Sequence, residues 1–184
     1  MEITCTACTS WLAALAEIFS SEAFRGATIF FGVVIALTSV LSAKSTARKK
    51  QTADLLFGSR ADKELGEGYK CLQKLHNDSG SNIRSLAKKS RKNSVEANQI
   101  RYILNHWERI AVGLRQGIYD EKMLREANWN TVTRMYFQAQ AYIDAVREIE
   151  KKDTYYQCLE ALAKRWESKP LPSFRKRKGF WPWQ

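Results

Sequence analysis

The run from Gly26 to Ala43, GATIFFGVVIALTSVLSA, holds 18 consecutive residues without a charge. At 1.5 Å of rise per residue such a run nearly crosses a hydrocarbon core about 30 Å thick, and Ala23 and Phe24 can extend it by a turn. It reads as one transmembrane helix. A cleaved signal peptide would need a basic leader and a shorter apolar core, whereas the leader here is long and acidic. A buried core helix would show a polar stripe, but Thr38, Ser39 and Ser42 are small enough to bond their own backbone. Lys44, Arg48, Lys49 and Lys50 follow the run, while only Arg25 stands against Glu2, Glu17 and Glu22 before it. The positive-inside rule then places the C-terminal side in the cytoplasm and the N-terminus outside.

This anchor sets the organisation: an amphipathic extracytoplasmic segment at 1–25, the membrane helix at 26–43, a basic juxtamembrane stalk at 44–60, one cytoplasmic helical domain at 61–168, and a basic, aromatic tail at 169–184. From Lys44 onward the net charge is +13, which suits anionic lipid or a nucleic acid. Cys5 and Cys8 fall outside the membrane with CxxC spacing, with either a disulfide or unpaired thiols to be expected, and Cys71 and Cys158 read as half-buried thiols in a reducing compartment.

No stretch alternates with period two, so the expected fold class is all-α: the membrane helix followed by a bundle of about five helices. The stalk pattern runs through Leu55 and Leu56 to a break at Phe57-Gly58-Ser59. Ala61 to His76 forms an amphipathic helix interrupted by Gly66 and Gly68. Asn77 to Asn82 is a loop of turn formers, and Ile83 to Ala87 a single helical turn before the basic run Lys88 to Lys92. The clearest helix starts at an Asn93 or Ser94 cap and carries Ile100, Leu104, Trp107, Ala111, Leu114 and Ile118 as a seam. Gly113 and Gly117 flank that seam, with Gly117 equally placed as a C-terminal cap. Asp120 caps a short helix through Leu124, a long helix covers Trp129 to Lys151, and a last one Thr154 to Trp166.

The tail breaks the pattern. Prolines forbid a helix over most of it, and Arg175, Lys176, Arg177 and Lys178 are flanked by Phe174, Phe180, Trp181 and Trp183. Cations beside Trp and Phe suit the bilayer interface, as Lys44, Arg48, Lys49 and Lys50 do; the alternative is an arm that stacks on nucleic-acid bases.

No catalytic constellation is evident. His76 and His106 are isolated, no metal or cofactor set is present, and no P-loop, GxSxG, HExxH or GxGxxG occurs, so a non-enzymatic role is expected. Glu108 and Asp120 interrupt an apolar pattern and read more readily as an ion pair and a cap than as a functional pair.

Leu104, Asn105, Trp107, Glu108, Ile110, Ala111, Gly113, Leu114, Gly117, Ile118, Tyr119 and Asp120 together match the form L-N-x-(W/Y/F)-E-x-(I/V)-A-x-G-(I/L)-x-x-G-(I/V)-(Y/F)-(D/N). In this the chain resembles a bacterial and prophage family of single-pass, membrane-anchored helical proteins, a domain of unknown function. The stalk at Arg48 to Leu56, the Ile83 to Ala87 turn and Leu162 to Trp166 extend the likeness over Lys44 to Trp166. The resemblance implies the anchor and bundle, and its prophage members imply a phage-related role such as superinfection exclusion or abortive infection. It implies no catalytic residue. The expectation is therefore an anchored interaction module with Trp107, Glu108, Gly113, Gly117, Tyr119 and Asp120 on a surface for an unidentified protein or a second copy. A membrane-tethered nucleic-acid binder is the alternative.

Overall fold

The computed structural model describes residues 22–172 apart from Ser79. The predicted outer segment with Cys5 and Cys8, and the tail cations and tryptophans from Arg175 to Trp183, lie outside the described residues. Every regular element among the described residues is helical, as the periodicities require. Contacts divide the chain into two units with the boundary after Ala47.

The described part of the first unit belongs to helix α1, Glu22–Ala61. Its apolar side chains have no protein around them: Ile29, Phe30, Phe31, Ile35, Leu37, Val40 and Leu41 are all exposed. The Thr28 and Thr38 hydroxyls donate back to the carbonyls of Phe24 and Val34 at 2.9 and 3.0 Å, so they are satisfied inside the helix as a lipid environment demands. Among the described residues there is thus one helix long and apolar enough to cross a membrane.

The second unit takes the end of α1 from Arg48 and adds α2 (Lys63–Asn77), a 3₁₀ turn (Ile83–Ala87), α3 (Val95–Arg115), α4 (Glu121–Glu150) and α5 (Gln157–Glu167). Four of these start on a side-chain cap. Asp62, Asn82, Ser94 and Asp120 each accept the backbone N–H three residues on, from Leu65, Ser85, Ala97 and Met123, satisfying a donor that the first turn leaves free. The core lies among α2, α3, α4 and α5, with Ile100, Ile103, Leu104, Leu124, Val132, Tyr136, Ile143, Leu159 and Trp166 almost fully enclosed. Cys71 and Cys158 are half-buried free thiols, and burial raises the pKa of both.

Two expected breaks are absent, and the last helix starts at Gln157 rather than Thr154. The break at Phe57-Gly58-Ser59 does not occur, because α1 continues to Ala61; Leu55 and Leu56 pack on the core on one side of Gly58, and Ser59 meets His106 on the other. That packing offsets the roughly 1 kcal/mol a mid-helix glycine costs. The short helix after Asp120 and the long one from Trp129 are one continuous α4. The Asn128 side chain bonds back to the Leu124 carbonyl at 3.5 Å, and Leu124 and Val132, both fully buried, lie on one helix face eight residues apart, so a break between them would separate two core anchors.

Gly66 and Gly68, two residues apart in α2, have opposite surroundings. A Cβ on Gly66 would meet nothing, whereas one on Gly68 would lie 2.4 Å from Ile103 Cγ2 and 2.9 Å from the Gln99 carbonyl oxygen, so Gly68 lets α2 and α3 approach backbone to side chain. Gly66→Ala should raise stability by about 0.5–1 kcal/mol through helix propensity. Gly68→Ala should lower it by at least about 1 kcal/mol through overpacking. Thermal melts of the two variants, compared with the parent, read the opposite signs directly.

Candidate functional site

The stretch Gly113 to Asp120 forms a corner in which one helix stops and the next starts. Gly117 adopts φ +70°, and the N–H groups of Gly117 and Ile118 return to the carbonyls of Leu114 and Gly113 at 3.0 and 2.9 Å. This is a Schellman cap, which needs a residue free of Cβ strain at that φ. A Cβ at Gly117 would also sit 2.8 Å from Arg48 Nη2, and one at Gly113 would lie 2.5 Å from the Tyr119 ring. Tyr119 therefore folds back over Gly113, Arg48 lies against Gly117, and Asp120 caps α4 through Met123 at 2.9 Å.

Glu108 has a similarly specific task. Tyr156, the residue before α5, is left-handed at φ +57° and gives no side-chain cap. The Glu108 carboxylate reaches across from α3 and accepts the N–H groups of Cys158 and Leu159 at 3.2 and 2.7 Å. A carboxylate at a helix N-terminus satisfies free donors and complements the helix dipole. Arg147 braces the same loop by donating to the Tyr155 carbonyl and to Glu160, the latter at 2.7 Å.

The six residues expected on a partner surface are thus turned towards this chain. Trp107 is in the core, where its indole N–H donates to the Tyr69 hydroxyl, and burial pushes that phenol up to about 12. Glu108 and Asp120 are caps, and Gly113, Gly117 and Tyr119 build the corner. The exposed apolar residues nearby are Val112 and Ile118; the seam pattern assigned Ile118 to the helix interior because a 3.6-residue count continues past Gly117, where the helix has stopped. Of the juxtamembrane cations, Lys44, Lys49 and Lys50 are exposed and Arg48 is half-buried.

A feature that the sequence did not announce lies beside this corner. From Arg48 to Ala61, α1 is fastened by polar side-chain contacts. Thr52, fully buried, accepts the N–H of Asp120 at 2.8 Å and donates to the Arg48 carbonyl at 2.9 Å; Ser59 meets His106 Nε2 at 3.4 Å. Behind these contacts is a cavity of about 390 Å³ walled by Leu55, Leu56, Phe57, Leu65, Ile110, Met123, Leu124 and Ala127. Arg60 also lines it, and Tyr69 and Thr131 separate it from a wider cleft of about 840 Å³ along α2 and α4 that includes Trp129, Arg134 and Phe137. Volumes in this range are those of small-molecule sites.

Among the described residues Ser59 and His106 have no carboxylate bonded to them, and Asp62, whose charge acts on His106, is engaged by the Tyr102 hydroxyl at 2.7 Å and the Leu65 N–H at 3.0 Å. Those bonds hold Asp62 below the usual carboxylate range. Among the described residues no group of three or more His, Cys, Asp or Glu side chains is placed to hold a metal ion.

His106 gives the domain a pH dependence. Burial, with Arg109 second, lowers its pKa, against an opposing pull from Asp62. The unfolded chain takes up this proton near pH 6.5 and the folded one only at lower pH. The resulting stability is complete above pH 6.5 and is lost as pH falls from there through the folded value. Asp62 acts in the same direction, but only below about pH 4. The melting temperature should therefore drop between pH 7.5 and pH 5, and His106→Gln should flatten that interval.

An apolar helix with unburied side chains together with a capped, well-packed helical unit defines, over the described residues, an all-α protein with one long apolar N-terminal helix followed by a helical bundle. Residues 27–166 match the model of a domain of unknown function, DUF4760, and the chain belongs to that family. The match takes in the apolar stretch as well as the bundle. No curated protein and no solved structure matches the chain.

Proposed function

We propose that this protein is a membrane-anchored helical interaction module, held at the bacterial inner membrane by α1 with its bundle in the cytoplasm, and that it acts in phage exclusion. The observation that carries the anchor is the run of unburied apolar side chains on α1, which would be unstable in water at that length. The bundle then serves as a rigid platform, and the partner-facing surface is the outside of the Gly113 to Asp120 corner, where Val112 and Ile118 are exposed. The phage setting rests on the resemblance alone. A phage-plating panel tests both parts, comparing bacteria that express the full chain with bacteria expressing a version lacking Gly26 to Ala43 at equal level. Plaque loss that disappears with the helix supports the reading; plaque loss that persists refutes the membrane part, and unchanged plating across a broad panel refutes the phage part.

The nucleic-acid alternative draws on the exposed cations Lys88, Lys89, Arg91 and Lys92. It requires binding that falls by orders of magnitude between 50 and 200 mM salt.

A further inference from the structure

We infer that the 390 Å³ cavity under the end of α1 is a binding site for a single-chain anionic amphiphile, a long-chain fatty acid carboxylate. This goes beyond the interaction-module reading and holds whether or not a protein partner exists. Three observations select this ligand.

The first is size. An apolar cavity of about 150 Å³ accommodates a six-carbon ring; at the same density about 390 Å³ takes a chain of roughly 15 carbons.

The second is polarity. The wall is mainly Leu, Ile, Met, Phe and Ala, with Thr131 beside them; of its other polar groups the Trp107 N–H and Tyr69 hydroxyl are bonded to each other, Ser59 to His106 and the Asn128 amide to the Leu124 carbonyl. A polar solute would lose more hydration there than these few, mostly engaged groups replace, whereas an acyl chain gains with every methylene it buries.

The third is charge. Arg60 lines the cavity and is exposed, and among the described residues it has no ion-pair partner. A guanidinium at the edge of an apolar slot is complementary to a carboxylate head with its chain inside. The fastening of α1 through Thr52 and Ser59 rather than through continuous apolar packing leaves the slot in place.

The test uses the full chain in nanodiscs of zwitterionic phosphatidylcholine, a palmitic acid carrying a mid-chain diazirine, and peptide mapping after illumination. The inference requires label on peptides covering 53–60 and 123–131 in addition to any on 24–43. Ala127→Trp, which fills the slot from its exposed wall, should reduce the cavity label at least fivefold and leave the label on 24–43 unchanged. Arg60→Glu should reduce it at least threefold while a neutral diazirine alcohol labels parent and variant alike. Label confined to 24–43, or cavity label unaffected by Ala127→Trp, overturns the site; equal labelling by acid and alcohol in the parent overturns the carboxylate assignment. Ala53→Phe, which fills the slot from α1, gives the same readout if Ala127→Trp loses helicity by circular dichroism.

Discussion

Trp166→Ala should lower the stability of the bundle by about 3–5 kcal/mol, the largest effect expected of any single substitution here. The side chain is 1 % exposed, so truncation opens a cavity of indole size in the region where α3, α4 and α5 meet. Two polar ties add to the loss. The indole N–H donates to Glu121 Oε1 at 3.0 Å, and the Glu121 carboxylate also holds Arg165 at 2.7 Å. The Trp166 carbonyl accepts the Trp129 indole N–H at 2.8 Å, and this bond depends on α5 staying docked. Trp166→Phe keeps most of the ring volume and loses the N–H donor, so its cost should be about a third as large. Thermal unfolding of the full chain in nanodiscs should show a midpoint about 10–20 °C lower for the alanine variant. A drop of only a degree or two would mean that the region closes around the missing ring.

Glu108→Ala should cost about 3 kcal/mol, and the damage should be local. Removing the carboxylate leaves the N–H groups of Cys158 and Leu159 without their acceptor in a half-buried place, and hydrogen bonds to a charged group contribute about 1.5–3 kcal/mol each. Tyr156 cannot substitute as a cap because its backbone is left-handed and its side chain makes no capping bond. Hydrogen exchange separates this from a general loosening. The amides at 158 and 159 should lose protection far more than those of α2, which has its own cap at Asp62. Glu108→Gln retains an acceptor without the charge and should give about half the effect. Uniform loss of protection across α2 to α5 would show that Glu108 supports the whole core rather than one helix end.

What the sequence reveals and what it hides follow from the range of the interactions. The apolar run, the helix period and the Ser94 and Asp120 caps are local patterns, and they are legible because residue type and spacing carry the cause. The meaning of Glu108 is not local: its acceptor role depends on amides 50 and 51 residues away, and within the helix it reads only as a polar interruption. Trp107 shows the same limit, since an aromatic residue on a seam looks alike whether it faces a partner or Tyr69. Gly113 and Gly117 could be read as small residues for a neighbouring helix; only the positions of Tyr119 and Arg48 show that this chain itself fills the space. The cavity has no sequence signal at all. Leu55, Leu56 and Phe57 would appear identically in a stalk packed without a gap.

The bond between Thr52 and the Asp120 amide joins positions 68 residues apart. A ribosome adding about 5–20 residues per second emits the second of these roughly 3–14 s after the first. For that interval the Arg48 to Ala61 segment has neither Asp120 nor the α4 wall to close on, and Leu55 and Leu56 are without the surface they finally cover. The order of synthesis therefore makes this segment a client of whatever apolar surface is nearest while the remainder of the bundle is still being made.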